Sequence, residues 1–353
     1  MSGRRPAPKA KRSADLPLLR RLGIAFGSAA TTLVVLAVVM LGLGLWLYQG
    51  PGPAAAHDGS TTVVLRQGGG ISEIAATLRG AGVIRSPAVF IAAAQVSGAA
   101  KRLKAGEYEF PTHASLASVI DKIRRGDIVH HMITIPEGLT SEEAVDILMA
   151  SPVLTGAAPA PAEGTILPET YEVRRGEDRG AVLQRMMDAR DTLLRTLWAQ
   201  RKGNLPVETP EQAVILASIV EKETAVADER PHVAAVFENR LRQHIPLGSD
   251  PTVTYGVNPG RPPAREPTKP ELDSVTPYNT YHIDGLPPTP ICNPGRASLA
   301  AVLDPPDSND LYFVADGTGG HAFASTLEAH NKNVEHWRAI HAQQHAQTKT
   351  AGR

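Results

Sequence analysis

Two glutamates, Glu221 and Glu223, close the otherwise apolar run ILASIVEKET over residues 215–224. A carboxyl carried among apolar neighbours is a candidate general acid, because burial disfavours its charged form and raises its pKa. At roughly 100° per residue Glu221 lies over Val214, Ala217 and Ser218, whereas Glu223 is turned about 200° away. One helical face therefore cannot present both to one site. Glu221 also falls near the helix C-terminus, where the macrodipole further disfavours a carboxylate. The competing reading is structural, with Glu221 paired to Lys222, Lys269 or an arginine.

The helix that must carry these residues is well marked. Thr209-Pro210-Glu211-Gln212 supplies an N-cap hydroxyl, a proline at the first helical position and a capping-box glutamine. From Ala213 to Val220 only Ser218 is polar, which implies burial on most sides and carries Glu221 into an interior or cleft. A long amphipathic helix is expected over 178–200 and another over 231–243. Residues 246–294 are rich in proline and glycine and carry SDPTVTYG, TPYNTY and GLPPTPICNPG. Loops of that length in a compact domain wall a binding site or move.

Towards the N-terminus the pattern reads as a small α+β module over 61–135: strands near 61–66, 104–110 and 130–135, and helices over 71–79, 86–96 and 115–125. A larger α+β domain over 136–340 and a flexible tail over 341–353 follow. Residues 51–60 read as a Pro/Gly/Ala linker within a spacer over 49–60 that lifts the rest off the membrane.

A membrane enters because residues 22–48 carry no charge, a run longer than the roughly 20 residues that cross a bilayer. Trp46 and Tyr48 fall where an interfacial aromatic belt lies. Arg4, Arg5, Lys9, Lys11, Arg12, Arg20 and Arg21 crowd the preceding tail over 1–21, so the positive-inside rule puts the N-terminus in the cytoplasm. A cleaved signal peptide ending near Ala54-Ala55-Ala56 is the rival, but the apolar run exceeds the roughly 7–15 residues usual there.

Composition removes other classes. The 36 basic and 36 acidic residues balance, so nucleic acid is not a bulk partner. A single cysteine, Cys292, excludes a disulfide framework and a Cys-rich metal site. His232, His244, His282, His321 and His330 show no tight ligand spacing, so no metal is expected. With no G-x-S-x-G elbow, Walker loop or GxGxxG, neither a serine nucleophile nor a nucleotide cofactor is called for.

There remains one buried acid beside loops of Tyr, Asn, Thr and Asp, which suits a carbohydrate: hydroxyls take short polar partners, and sugar faces take rings such as Tyr171, Tyr255, Tyr278 or Tyr281. A glycosidase usually needs two carboxylates, for which Asp250 and Glu169 are available. A second is unnecessary where the substrate supplies its own nucleophile. In peptidoglycan the C6 hydroxyl of N-acetylmuramic acid can attack its own anomeric carbon, so one glutamate acts first as acid and then as base.

The runs ASIVEKETAVADERPHVAAVFENRL, SDPTVTYG, TPYNTYHIDGLPP, NPG and LYFVADGTGGHAF resemble, in order from about residue 162 to 337, the endolytic murein transglycosylase family, also called YceG-like or MltG. KAGEYEF, IPEGLT and EGTILPETY extend the resemblance over nearly all of the chain beyond the apolar run. It implies a single-pass protein of the bacterial inner membrane with a LysM-like small domain and a periplasmic catalytic domain. That domain is a carbon–oxygen lyase cutting nascent glycan strands between N-acetylmuramic acid and N-acetylglucosamine, with peptidoglycan synthases as partners. The catalytic glutamate of the family falls on Glu221. Glu223, Asn239, Arg240, Asp250, Tyr255, Tyr278, Asn279, Tyr281 and His321 lie on the motif-bearing segments as candidate cleft residues. The departures are Thr289, where the family has glycine after Gly285-Leu286-Pro287-Pro288, and PETY where PDTY is common. Two alternatives stay open: a non-catalytic peptidoglycan-binding scaffold, and a muramidase-type hydrolase with Asp250 as base.

Overall fold

The computed structural model describes residues 18–55 and 59–351. Arg4, Arg5, Lys9, Lys11 and Arg12 of the basic tail lie outside them. The chain divides into two compact units between Val129 and His130.

The first unit opens with helix α1 (Leu18–Gln49), which already contains Arg20 and Arg21. Its stretch Gly27–Gln49 is long and apolar enough to cross a membrane, the one such span among the described residues. Strand β1 (Ser60–Leu65), helices α2 (Ile71–Gly80) and α3 (Pro87–Val96), strand β2 (Gly106–Pro111) and helix α4 (Leu116–Arg125) follow. β1 and β2 pair antiparallel with Val63 opposite Tyr108. Alternation along both strands sends Val63, Leu65, Tyr108 and Phe110 inward against Leu78, Phe90 and Ile123. Tyr108 is fully buried, and its hydroxyl donates to the Lys104 carbonyl at 2.8 Å, so no polar atom is stranded by that burial. Ser86 and Ser115 cap α3 and α4 by accepting from Val89 and Ser118.

The first half of the expected spacer is fastened down. Gly52 N donates to His113 O at 3.1 Å, His113 N to Pro53 O at 2.9 Å, and Ala55 N to Thr112 Oγ1 at 3.1 Å. A Cβ on Gly52 would stand 2.1 Å from the Ala114 carbonyl oxygen, so only glycine allows this approach. Proline and glycine here shape a strap rather than a free linker.

The second unit contains β3 (His131–Thr134), α5 (Ser141–Ala150), β4 (Thr170–Val173), α6 (Arg179–Gln200), α7 (Pro210–Glu223), α8 (Arg230–Arg242), α9 (Asp250–Val257), α10 (Lys269–Leu272), α11 (Arg296–Leu303), β5 (Tyr312–Ala315), β6 (His321–Ala324) and α12 (Leu327–Ala351). The strand expected to complete the small module is β3, and it pairs instead with β4, Ile133 opposite Tyr171. Its partner lies about forty residues further on, too far for local pattern to reveal. The proline-rich stretch holds two helices, α9 and α10, each with a proline in its first turn, where the missing N–H is no loss. α12 continues through residues expected as a flexible tail.

α7 forms the middle of this unit. Thr209 caps it by accepting from Gln212 N, and Ala213, Leu216, Ala217, Ile219 and Val220 are completely buried. They pack against Val233 and Phe237 of α8 and Leu299 and Val302 of α11. Such burial removes about 1.5–3 kcal/mol of exposure cost for each large aliphatic side chain.

Candidate active site

The last turn of α7 delivers its two carboxyls to different neighbours. Glu221 keeps 4% of its side chain exposed. Its Oε2 accepts from Gly295 N at 2.8 Å and its Oε1 lies 3.4 Å from Arg230 Nη2. The paired cation is Arg230, not Lys222 or Lys269. Lys222 Nζ donates to the Gly138 carbonyl at 3.3 Å.

Arg230 Nη2 also lies 3.5 Å from Glu137 Oε2, so one guanidinium faces two carboxylates. Its Nε has no partner among the described residues. The Glu137 carboxyl is raised above the ordinary glutamate range, first by burial and then by the negative charge of Glu221. Gly295 makes room for this arrangement: a Cβ there would meet Glu137 Oε1 at 1.8 Å.

Two further residues hold the surrounding loops. Ser218, the polar exception in α7, receives Ile291 N on its Oγ at 3.0 Å. Asn293 is fully buried; its Oδ1 accepts from Ile166 N at 2.9 Å and its Nδ2 donates to Leu139 O and Ser141 Oγ. Gly138 N in turn donates to Asn293 O at 3.2 Å. Segments 137–141, 163–166 and 291–295 are thereby locked around Glu221. Glu163 joins the network through Ser141 N at 2.7 Å, and burial raises its carboxyl despite that bond.

Two cavities are lined by residues adjoining those around Glu221. One of about 370 Å³ is lined by Gly138, Thr140, Lys222, Asp250, Tyr255 and the 262–267 loop. The other, about 750 Å³, is lined by Glu169, Tyr171, Arg185 and Arg296, the neighbour of Gly295. Glu169 pairs with Arg296 at 3.2 Å.

Glu223 faces elsewhere. Its Oε1 accepts from Ser249 Oγ at 2.5 Å, and its pKa is pushed up to about 7 by burial, with the nearby charge of Asp250 adding to the rise. Asp250 Oδ1 accepts from the Tyr281 hydroxyl at 2.8 Å, and both are exposed. His321 Nδ1 lies 2.6 Å from Glu229 Oε2. A carboxylate partner at that distance orients the ring.

Several candidates also make bonds that hold the framework. Asn279 is fully buried and spends its amide on the Glu271, Leu272 and Ser274 carbonyls. Asn239 bonds the Ser308 and Asp310 carbonyls, and Arg240 those of Leu311, Pro246 and Leu247. Tyr255 is buried with its hydroxyl on Glu163 and its ring edge-on to Tyr278, whose own hydroxyl meets Thr289. Glu137, Arg230 and Gly295 carry the surroundings of Glu221, yet sequence reasoning assigned them no role. IPEGLT and NPG marked two of them only as parts of motifs.

Residues 63–336 match the family model described as YceG-like family. An endolytic murein transglycosylase of Bacillus subtilis is 29% identical over 313 residues, 79% of this chain and 85% of that protein. One of Streptococcus pneumoniae is 27% identical over 320 residues, and the match spans 77% of this chain but only 57% of the pneumococcal protein. The crystal structure of a YceG-like protein from Listeria monocytogenes is 28% identical, covering 77% of this chain and 98% of that one with a TM-score of 0.49.

Proposed function

Since this chain belongs to the YceG-like family, we propose that it is an endolytic murein transglycosylase with Glu221 as its general acid and base. The substrate is the peptidoglycan glycan strand, cut internally between N-acetylmuramic acid and N-acetylglucosamine. Glu221 gives its proton to the glycosidic oxygen, so the bond to the anomeric carbon breaks. The C6 hydroxyl of the same muramic residue then bonds to that carbon and returns its proton to Glu221. A 1,6-anhydro end forms, no water is consumed, and strand elongation ends there.

The observation that supports this reading best is the setting of Glu221, nearly buried yet reached by Gly295 N–H and Arg230, with its neighbour Lys222 lining one cavity and Arg296, next to Gly295, lining another. A glycan strand runs on in both directions from the bond that is cut, and a single acid whose neighbours border two cavities suits an internal cut. Asp250 lines one of those cavities and is the base that a hydrolytic alternative would use. In the same reading α1 is a single-pass anchor of the cytoplasmic membrane, with the N-terminus inside, both units outside and glycan synthases as neighbours. The first unit is LysM-like and holds the strand near the membrane.

The test is digestion of purified peptidoglycan by the full chain in detergent, with fragments read by mass spectrometry. Products lighter by one water than hydrolytic ones, absent with Glu221→Gln, are expected. Hydrated ends lost with Asp250→Asn would replace the lyase by a hydrolase. Glycan binding without any cleavage by the wild type would leave a scaffold.

A further inference from the structure

We propose that α3 is a second membrane contact, seated among the acyl chains of the leaflet at the C-terminal end of α1. The proposal rests on the reading of α1 as a span and adds an interfacial helix to it.

The face that α3 turns away from its own core is apolar but for Gln95. Phe90 and Ala94 are buried, while Ala88, Ala92 and Val96 form an exposed stripe at i, i+4 and i+8, with Val96 91% exposed and Gln95 the one polar side chain of the helix on that side. A helix at a water-facing surface puts polar residues on that side. No charge occurs from Ser86 to Ala100, and the charges that bound the stretch, Arg85 on one side and Lys101 and Arg102 on the other, are basic and exposed. An apolar face between basic ends suits a helix lying in the interface of a bilayer with anionic headgroups.

Lipid is the occupant because the stripe is continuous with α1. Val89, Ala92, Ala93 and Val96 share an apolar groove of about 430 Å³ with the α1 side chains between Met40 and Tyr48. Met40 lies nine residues before Gln49, about 14 Å along the helix at 1.5 Å per residue, within one half of a hydrocarbon core roughly 30 Å thick. Whatever fills a groove walled by that part of a span is acyl chain. The Gly52–His113 strap fixes the first unit close to the end of α1, so the groove cannot be lifted clear of the surface.

The test uses the full chain in vesicles of phosphatidylethanolamine and phosphatidylglycerol. Cys292 is the one thiol of the sequence and is completely buried, so a single introduced cysteine can carry an environment-sensitive fluorophore. Labels go at Val96→Cys, at Leu36→Cys within the span, and at Lys332→Cys on the exposed face of α12. The label at 96 is expected to shift to the blue and to lose at least about half its emission to nitroxide-bearing lipids, as an interfacial residue does. The label at 332 should stay water-like. A quenched label at 36 with an unquenched, water-like label at 96 overturns the proposal while leaving the span intact. An unquenched label at 36 overturns the span reading itself, and the proposal with it.

Discussion

Replacing Glu223 by glutamine should make the larger unit more stable at alkaline pH and leave it nearly unchanged in acid. The side chain is held in a buried setting against Ser249, with its pKa at about 7 in place of the ordinary 4.5. A carboxyl whose folded value lies above its unfolded one contributes fully below about pH 4.5, and that contribution is lost as pH rises through 7. Between those values each pH unit costs the folded state about 1.4 kcal/mol, which sums to about 3 kcal/mol at pH 8 and under about 1 kcal/mol at pH 5. Glutamine cannot ionise and still meets the Ser249 hydroxyl, so it removes the cost while keeping the contact. For a unit of this size the gain at pH 8 corresponds to a rise of about 6–12 °C in melting temperature. Thermal unfolding followed by circular dichroism, wild type beside variant from pH 4.5 to 8.5, measures it. Parallel pH dependences for the two proteins would refute the reasoning, because any effect of shape alone is the same at every pH.

Gly295→Ala should change stability by less than about 1 kcal/mol, since the new methyl group collides only with the movable end of Glu137. It should still lower peptidoglycan cleavage at least about tenfold by driving Glu137 away from Arg230, read as initial rates of fragment release. Asn293→Ala strands backbone and side-chain partners from two other segments in the interior and should cost about 3 kcal/mol or more in urea unfolding. Gly52→Ala meets a backbone carbonyl and not a flexible side chain, so the strap must move. Amide exchange at Gly52 and His113 should accelerate, with about 1–3 kcal/mol lost from the first unit.

The helix that carries Glu221 is legible in the sequence because its signals are local: a cap, a proline and an apolar run that only Ser218 interrupts. The company Glu221 keeps is not, because Glu137, Arg230 and Gly295 come from three separated segments, two of them tied together by the buried bonds of Asn293. The bonds of Asn239 and Asn279 are hidden from the sequence for a related reason. Proline- and glycine-rich loops leave carbonyls without partners from regular structure, and an asparagine amide satisfies several at once. Polarity that reads as ligand chemistry in sequence here also fastens backbone. The alternation of β3 shows that it pairs without showing with what, so its place beside β4 and not in the small module is not legible in the sequence.

That α7 is both the central strut of the larger unit and the bearer of Glu221 restricts how such a protein can diversify. Any change aimed at Glu221 from beneath falls on residues 213–220, nearly all of them without exposure, and is felt as instability before it is felt as an altered setting of that side chain. The walls of the adjoining cavities are free of that restriction, because 262–267 belongs to a surface loop whose side chains are mostly half-buried or exposed. Variation that reshapes which strand is held, and how long it stays, can therefore accumulate in the loops while the cut itself is inherited unchanged. A library built to redirect substrate choice should be spent there.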